Sequence, residues 1–164
     1  MSEESKDSNT PVIVVRIRSS IGLRQKAKET LSQLSLSRVN HAVVIDKRPS
    51  YLGMLQKAKD AITWGELDVP TLTKLLRKRG RLRGDKRVTD EYVAKYTKFK
   101  TVDEYAAAIV SLKAELSTLP KLKKVFRLRP PSKGFKGSIK HTFQQKGELG
   151  YRGTDINTLV QRMS

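Results

Sequence analysis

Cysteine is absent from the 164-residue sequence, and histidine occurs only twice, at His41 and His141. The lack of cysteine excludes a disulfide framework, a zinc ribbon and thiol catalysis, and two distant histidines give no metal-ligand spacing. No apolar run approaches the length of a membrane span, and the polar start MSEESKDSNT is neither a signal peptide nor an amphipathic anchor. We therefore expect a soluble, cytoplasmic protein without metal or other cofactor.

Catalytic motifs are also missing from the sequence. It contains no Walker loop, no GxSxG and no HExxH. Two acidic pairs, Asp90-Glu91 and Asp103-Glu104, fall in the predicted first turns of helices, where carboxylates offset the helix dipole. We therefore expect no catalytic residue and no enzymatic activity.

Positive charge is what the sequence has in excess. Lys and Arg number 34 against 16 Asp and Glu, which gives a formal net charge of +18 and a pI of about 10.3. Such an imbalance makes a compact chain repel itself, and a polyanionic partner is its natural compensation.

Hydrophobic patterning predicts a small α+β core. Residues 12–18 and 41–46 have the β-branched density of strands, and helices are expected after an N-cap at Ser19 or Ser20 and after Pro49. The next predicted strand is 124–129, so the core would be a sandwich of three strands and two helices. Connection rules alone would make its first β-α-β unit parallel.

The remaining segments are predicted to be an insertion and a tail. Helices are expected to begin near Pro70, at Thr89 and at the capping box Thr101–Glu104, and a last helix covers residues 155–163. The predicted organisation is a disordered polar N-terminus (1–10), a core (11–62 and 122–130), a helical insertion (63–121) and a basic extended tail with a terminal helix (131–164).

Basic residues are concentrated in two runs, 74–87 and 121–140. A single run of charge is most often a solvated face, but two runs together with the overall excess favour nucleic acid, because each neutralised phosphate releases counterions. A basic membrane-surface helix is less favoured, because the arginines around Gly80 lie beside glycines and not opposite a broad apolar face.

Two stretches could contact a phosphate chain directly. Residues 129–143, RPPSKGFKGSIKHTF, combine prolines, glycines and bases, and predict an extended segment without its own core. Phe135 and Phe143 could stack on exposed bases or pack on the protein itself, and both alternatives stay open. The turn 18–22 could present a helix N-terminus to an anion or could hold an ordinary N-cap.

Several separated motifs resemble those of one protein family. Residues 30–43 (TLSQLSLSRVNHAV) and 49–55 (PSYLGML) resemble the signature of the universal large-subunit ribosomal protein family L-thirty, whose eukaryotic relatives are called L-seven. The insertion motifs TWGE (63–66) and RKRG (77–80), and the tail motifs FRLRPP (126–131), GFKG (134–137) and GELG (147–150), resemble the archaeal type.

The resemblance implies a fold and a function. The fold would be a ferredoxin-like β-α-β-α-β core with a largely antiparallel three-stranded sheet and a central first strand, which replaces the parallel expectation. The function would be that of a non-catalytic constituent of the large ribosomal subunit. It would bind and stabilise rRNA in the vicinity of the 5S rRNA, as a monomer beside neighbouring ribosomal proteins.

The predicted RNA-binding residues come from the family resemblance and from the distribution of positive charge. The family pattern points to the turn after the first strand and to the region of Arg38 and His41, and the positive charge of the insertion and the tail supplies most of the other residues. The full set is Arg16, Arg18, Ser20, Arg24, Arg38, His41, Arg48, Arg77, Lys78, Arg79, Arg81, Arg83, Arg87, Arg129, Lys133, Phe135, Lys136, Lys140, His141 and Arg152.

Two other functions compete with rRNA binding. Residues 70–97 could form a DNA-binding helix-turn-helix, although the connection from Arg79 to Thr89 is long and basic for that motif. The turn Arg18-Ser19-Ser20 could cradle the phosphate of a phosphoester substrate in a small ferredoxin-like enzyme. No candidate nucleophile or base accompanies that turn, so this alternative ranks last.

Overall fold

The computed structural model describes residues 10–164, and the predicted disordered N-terminus lies, except for Thr10, outside the described residues. Within residues 10–164 the chain forms six strands and six α-helices. The strands are β1 Pro11–Arg16, β2 His41–Asp46, β3 Ile62–Glu66, β4 Val125–Arg127, β5 Ser138–Thr142 and β6 Gly147–Tyr151. The helices are α1 Gln25–Gln33, α2 Pro49–Ala58, α3 Val69–Arg79, α4 Asp90–Tyr96, α5 Val102–Val110 and α6 Ile156–Met163.

The strands form one mixed sheet in the order β4-β2-β1-β3-β6-β5. β1 lies between β2 and β3 and is antiparallel to both, whereas β6 is parallel to β3 and to β5. The α+β class is therefore confirmed, and β1 is interior as the resemblance implies. The expectation of a three-stranded sheet is wrong, because β6 and β5 extend it beyond β3 and β4 extends it beyond β2.

The parallel arrangement that connection rules suggested for β1 and β2 is also wrong. After α1 the chain reverses at Ser35, whose φ is 60°, and the N–H of Leu36 donates to the carbonyl of Leu31 at 2.8 Å. The N–H of Asn40 then donates to the carbonyl of Arg16 at 2.8 Å. The chain thus returns to the end of β1 that it left, so β2 must run in the opposite direction.

β1 is buried along its whole length because helices cover both faces of the sheet. Ile13 and Val15 belong to a core formed with α3, α5 and α6. Val12 and Val14 belong to a second core formed with α1 and α2. Apolar residues at both alternations are what a strand covered on two sides requires.

Two predicted element boundaries are wrong. α1 begins at Gln25, and its N-cap is Arg24 without a side-chain hydrogen bond, so neither Ser19 nor Ser20 caps it. The helical insertion was expected from residue 63, but Ile62–Glu66 forms β3 beside β1. Ala61 and Ile62 continue the apolar spacing of α2, which hid the strand. The division into core, insertion and tail stays a prediction.

Two predicted N-caps and one predicted apolar helix face are confirmed. Thr89 and Thr101 cap α4 and α5, each accepting a hydrogen bond from the backbone N–H three residues later, at 3.3 and 3.2 Å. α6 buries the expected apolar face, which consists of Ile156, Leu159, Val160 and Met163.

The stretch 129–143 is part of the fold and does not lack a core. The N–H groups of Arg129 and Ser132 donate to the carbonyls of Met163 and Arg162, at 2.9 and 3.0 Å. The Arg162 guanidinium donates in return to the carbonyls of Ser132 and Gly134. Residues 138–142 form β5, which pairs with β6. The segment is therefore held by α6, β6 and the core, and the prediction that it has no core contact of its own is wrong.

Position 65 has room only for glycine, because neighbouring atoms occupy the space that a Cβ would need. A Cβ there would overlap the backbone oxygen of Gly153 and lie 2.9 Å from Cγ2 of Ile156. We expect Gly65→Ala to lower the free energy of unfolding by about 1–3 kcal/mol, the usual cost of overpacking, in a urea titration.

Gly53→Ala is the matched control, because no heavy atom lies within 4 Å of a Cβ at this helical position. That substitution should raise the free energy of unfolding by about 0.5–1 kcal/mol. Equal effects of the two substitutions would contradict the close approach of β3 to Gly153.

Candidate nucleic-acid interface

Edge strand β4 brings two distant parts of the chain together. His41 of β2 pairs with Arg127 of β4 in the antiparallel register. Along β4 and the residues after it, Phe126 and Leu128 are buried while Arg127 and Arg129 are exposed. The alternation of the strand therefore anchors the segment in the core with one set of side chains and presents arginine with the other.

His41 lies within a group of cations. Burial, followed by the charges of Arg127, Arg38 and Arg16, holds the pKa of His41 below its usual value. Its Nδ1 is buried and has no hydrogen-bond partner among the described residues. The imidazole of His41, with one unsatisfied ring nitrogen, therefore lies near the positive charges of Arg127, Arg38 and Arg16.

A second group of cations lies at the end of α3. Gly80 ends the helix, its N–H donating to the carbonyls of Leu75 and Leu76 at 3.0 Å. Burial, followed by the charges of Arg129 and Arg81, lowers the pKa of Arg79. The Nε of Arg79 is buried and has no partner within residues 10–164. Here too like charges are held together.

Asp85 connects the two groups. Its hydrogen bond and ion pair with Lys123, at 3.2 Å, are the leading causes that lower its pKa, and Arg127 and Arg81 contribute further. We define the basic face as Arg38, His41, Arg79, Arg81, Arg127 and Arg129. Among residues 10–164, no carboxylate forms an ion pair with any of these six side chains.

The connection between α3 and α4 is a hairpin-like loop. The N–H of Leu82 donates to the carbonyl of Lys86 at 2.8 Å, and Gly84 and Asp85 have φ values of 85° and 61°. The loop also pairs with residues 121–123 through bonds of 2.8 and 2.9 Å. It presents Arg83 and Arg87 to solvent. A paired loop over residues 80–89 is not the short turn that a helix-turn-helix needs.

Arg16 and Arg152 do not suit direct RNA contact. Arg16 is 4% exposed and donates to the carbonyls of Leu36 and Arg18, at 2.6 and 2.9 Å. Arg152 is 8% exposed and pairs with Glu148 at 2.5 Å and with the Thr63 hydroxyl at 3.0 Å. Because both guanidinium groups are used inside the protein, we leave these two predicted residues out of the interface.

Two further predicted arginines have acidic partners. Arg48 pairs with Asp46 at 2.9 Å, and Arg77 pairs with Asp103 at 2.7 Å and with Asp90 at 3.6 Å. Both arginines are exposed and could exchange partners. Their charge is nevertheless already compensated, so they lie outside the basic face as defined.

The loop after β1 forms a separate basic surface. It borders a cavity of about 420 Å³ that is lined by Arg18, Arg24, Lys26, Lys57, Lys59 and Asp60, among others. Arg18 donates to the backbone carbonyl of Asp60 at 3.2 Å, and Ser20 is exposed. Since α1 begins only at Gln25, the predicted presentation of a helix N-terminus by residues 18–22 is wrong.

The remaining predicted residues divide by exposure. Lys78, Lys133, Lys136, Lys140 and His141 are exposed. Phe135 is partly buried against the core, and the Phe143 ring lies 4.8 Å from the guanidinium carbon of Arg152. Both aromatic rings are therefore half-buried and in contact with the protein.

Arg127 belongs to the basic face but is missing from the predicted set. The signal that could have found it is the alternation in residues 125–129, where Phe126 and Leu128 are apolar and Arg127 and Arg129 are not. Once the segment is read as a strand, both arginines must share the solvent side.

Two other kinds of site are absent from the described part of the chain. No group of three or more His, Asp or Glu side chains in residues 10–164 is placed to hold a metal ion. None of the helices over that range combines the length and apolar character that crossing a membrane requires.

The comparisons place the chain among ribosomal proteins, since residues 12–62 match the family model described as Ribosomal protein L30p/L7e. Three curated relatives, each named Large ribosomal subunit protein uL30, extend the match over most of the chain. The Methanopyrus kandleri protein is 49% identical over 90% of this chain and 99% of its own length. The Archaeoglobus fulgidus and Methanobrevibacter smithii proteins are 49% and 45% identical over 92% of this chain, and over 97% and 98% of their own lengths. The chain belongs to the uL30 family.

The cations around His41 predict a pH dependence of stability. Because the pKa of His41 is lowered in the folded state, the unfolded chain binds the proton more readily below about pH 6.5. The stability that this difference in pKa provides is fully present above that pH. It is lost as the pH falls towards the folded-state pKa. We expect the wild-type free energy of unfolding to fall more between pH 7.5 and 5.5 than that of His41→Asn, in urea titrations.

His141→Asn, which removes the other histidine, is the control. A similar flattening of the pH profile in that variant would contradict a specific effect of the arginines around His41.

Proposed function

We propose that the protein stabilises folded large-subunit rRNA by placing the basic face against the phosphates of the RNA. As a member of the uL30 family it is a structural constituent of the large ribosomal subunit, which is cytoplasmic in archaea, and not an enzyme. The observation that carries the proposal is the grouping of Arg38, Arg79, Arg81, Arg127 and Arg129, none of which forms an ion pair with a carboxylate among the described residues.

The physical argument is one of charge compensation. Burial, followed by the charges of Arg129 and Arg81, lowers the pKa of Arg79, so its charged form is less favourable in the fold than in water. A phosphate near these cations removes part of that cost and releases the counterions condensed on the RNA. The unpartnered Nε of Arg79 and Nδ1 of His41 would also gain hydrogen-bond partners.

Further contacts follow from the exposed bases outside the basic face. We include in the proposal the loop after β1 (Arg18, Ser20 and Arg24) and the exposed residues of the tail. The family resemblance supports two finer points, that the contacted RNA lies near the 5S rRNA and that β1, β2 and β3 are related to ferredoxin-like cores. Within the subunit the chain would act as a monomer beside other ribosomal proteins.

DNA binding through a helix-turn-helix is the competing function. The paired loop over residues 80–89 argues against it, because it separates α3 and α4 by a structure of its own. Competition between duplex DNA and large-subunit rRNA for the protein distinguishes the two functions.

The proposal predicts a change in salt dependence. We expect the triple change Arg79→Gln, Arg81→Gln and Arg129→Gln to weaken binding to deproteinised large-subunit rRNA. Each lost phosphate contact should remove roughly 0.7 to 0.9 from the slope of log K against log salt, so the triple variant should lose roughly 2 to 3. Filter binding or fluorescence anisotropy over a salt series measures this slope.

Three exposed lysines outside the basic face, Lys98, Lys100 and Lys113, provide the matched control. They have no ion-pair partner within residues 10–164, so their replacement by Gln removes the same charge. If both triple variants flatten the slope equally, only net charge matters and the basic face is not the binding surface.

A further inference from the structure

A cavity of about 500 Å³ lies between the tail and α6. Its lining includes Phe143, Arg152 and Lys146 on the tail side and Asp155, Thr158 and Arg162 on the side of α6. The volume falls within the range of small-molecule sites in proteins. The basic face does not include any of these residues, so the cavity is a separate feature.

The polar wall of the cavity is fixed by contacts inside the protein. Glu148 is buried and accepts hydrogen bonds from the N–H of Gly137 at 2.8 Å and from Arg152 at 2.5 Å. Arg152 also donates to the carbonyl of Glu148 at 2.8 Å and to the hydroxyl of Thr63 at 3.0 Å. This buried ion pair is internally satisfied, so its role is to hold the wall in one geometry.

An aromatic ring lines the cavity. The ring of Phe143 is half-buried, and its centre lies 4.8 Å from the guanidinium carbon of Arg152. Aromatic rings are groups on which unpaired RNA bases stack. A base in the cavity would therefore meet the part of the Phe143 ring that the protein leaves uncovered.

The charges and polar groups around the cavity suit the rest of a nucleotide. Lys136 and Lys146 are exposed residues of the lining, where they could meet a phosphate. Asp155 and Thr158 are also exposed residues of the lining and offer a carboxylate and a hydroxyl to the edge of a base.

We propose that this cavity receives one unpaired nucleotide of the rRNA, with its base stacked on the ring of Phe143 and its phosphate beside Lys136 and Lys146. The inference rests on the proposed function, because the RNA must bind before one of its nucleotides can enter. It adds a contact to a base, whereas the basic face contacts phosphates.

The test uses the full chain and deproteinised large-subunit rRNA. Phe143→Leu keeps an apolar side chain but removes the ring, and should lower affinity roughly tenfold at fixed salt with an unchanged salt slope. In the wild type, ultraviolet cross-linking should join the peptide that contains Phe143 to one nucleotide, and the variant should lose that cross-link. Lys136→Gln should reduce the slope by about one phosphate contact.

Phe135→Leu is the matched aromatic control, because that ring packs against the core. Lys113→Gln is the control for an exposed lysine. Binding of Phe143→Leu as tight as that of Phe135→Leu, with the cross-link retained, overturns the inference. If a thermal melt shows that Phe143→Leu does not fold, the salt slope of Lys136→Gln and the wild-type cross-link test the inference instead. An unchanged slope in Lys136→Gln together with no cross-link at Phe143 would then overturn it.

Failure of this inference differs from failure of the proposed function. If the wild type binds rRNA and the basic-face variant weakens it while Phe143→Leu does not, only the nucleotide cavity is wrong. If the wild type does not bind at low salt, the proposed function itself fails.

Discussion

The close grouping of cations by the tertiary fold is the constraint on which the proposed function depends. Arg38 and Arg127 lie around His41, and Arg81 and Arg129 lie around Arg79, although these residues come from separate parts of the chain. Burial depresses the pKa values of His41 and Arg79, and the neighbouring charges add to the effect. Hydrophobic packing must supply the free energy that keeps such groups together, and a polyanion removes the need for part of it.

The sheet supplies that packing. β1 is buried on both faces, by α1 and α2 on one side and by α3, α5 and α6 on the other. β4 joins the edge of β2 through Phe126, which is fully buried, and so fixes Arg127 beside His41. Other arginines are compensated within the protein. Arg152 and Arg77 have carboxylate partners, and their contacts hold elements of the protein together. The contrast between compensated and uncompensated arginines separates structural roles from the proposed RNA contacts.

The sequence alone was sufficient to predict those structural features that depend on neighbouring residues. The caps at Thr89 and Thr101, the apolar face of α6 and the bounds of β2 were predictable, because each depends on neighbouring residues. β3 was not, since Ala61 and Ile62 continue the apolar spacing of α2 and only pairing with β1 reveals a strand. The burial of Arg16 and Arg152 could not be predicted either, because their partners Leu36 and Thr63 are distant in sequence. Runs of charge show how much charge is present, and only the tertiary fold decides which arginines remain without an acid.

Arginine protection tests the central claim most directly. The free protein and its complex with deproteinised large-subunit rRNA would be treated with phenylglyoxal, and the modified arginines would be quantified by mass spectrometry. Arg38, Arg127 and Arg129 should react in the free protein and be protected in the complex, while Arg48, which is exposed and paired with Asp46, changes less. Equal reactivity of Arg38, Arg127 and Arg129 in the free and bound states would contradict an interface built on the basic face.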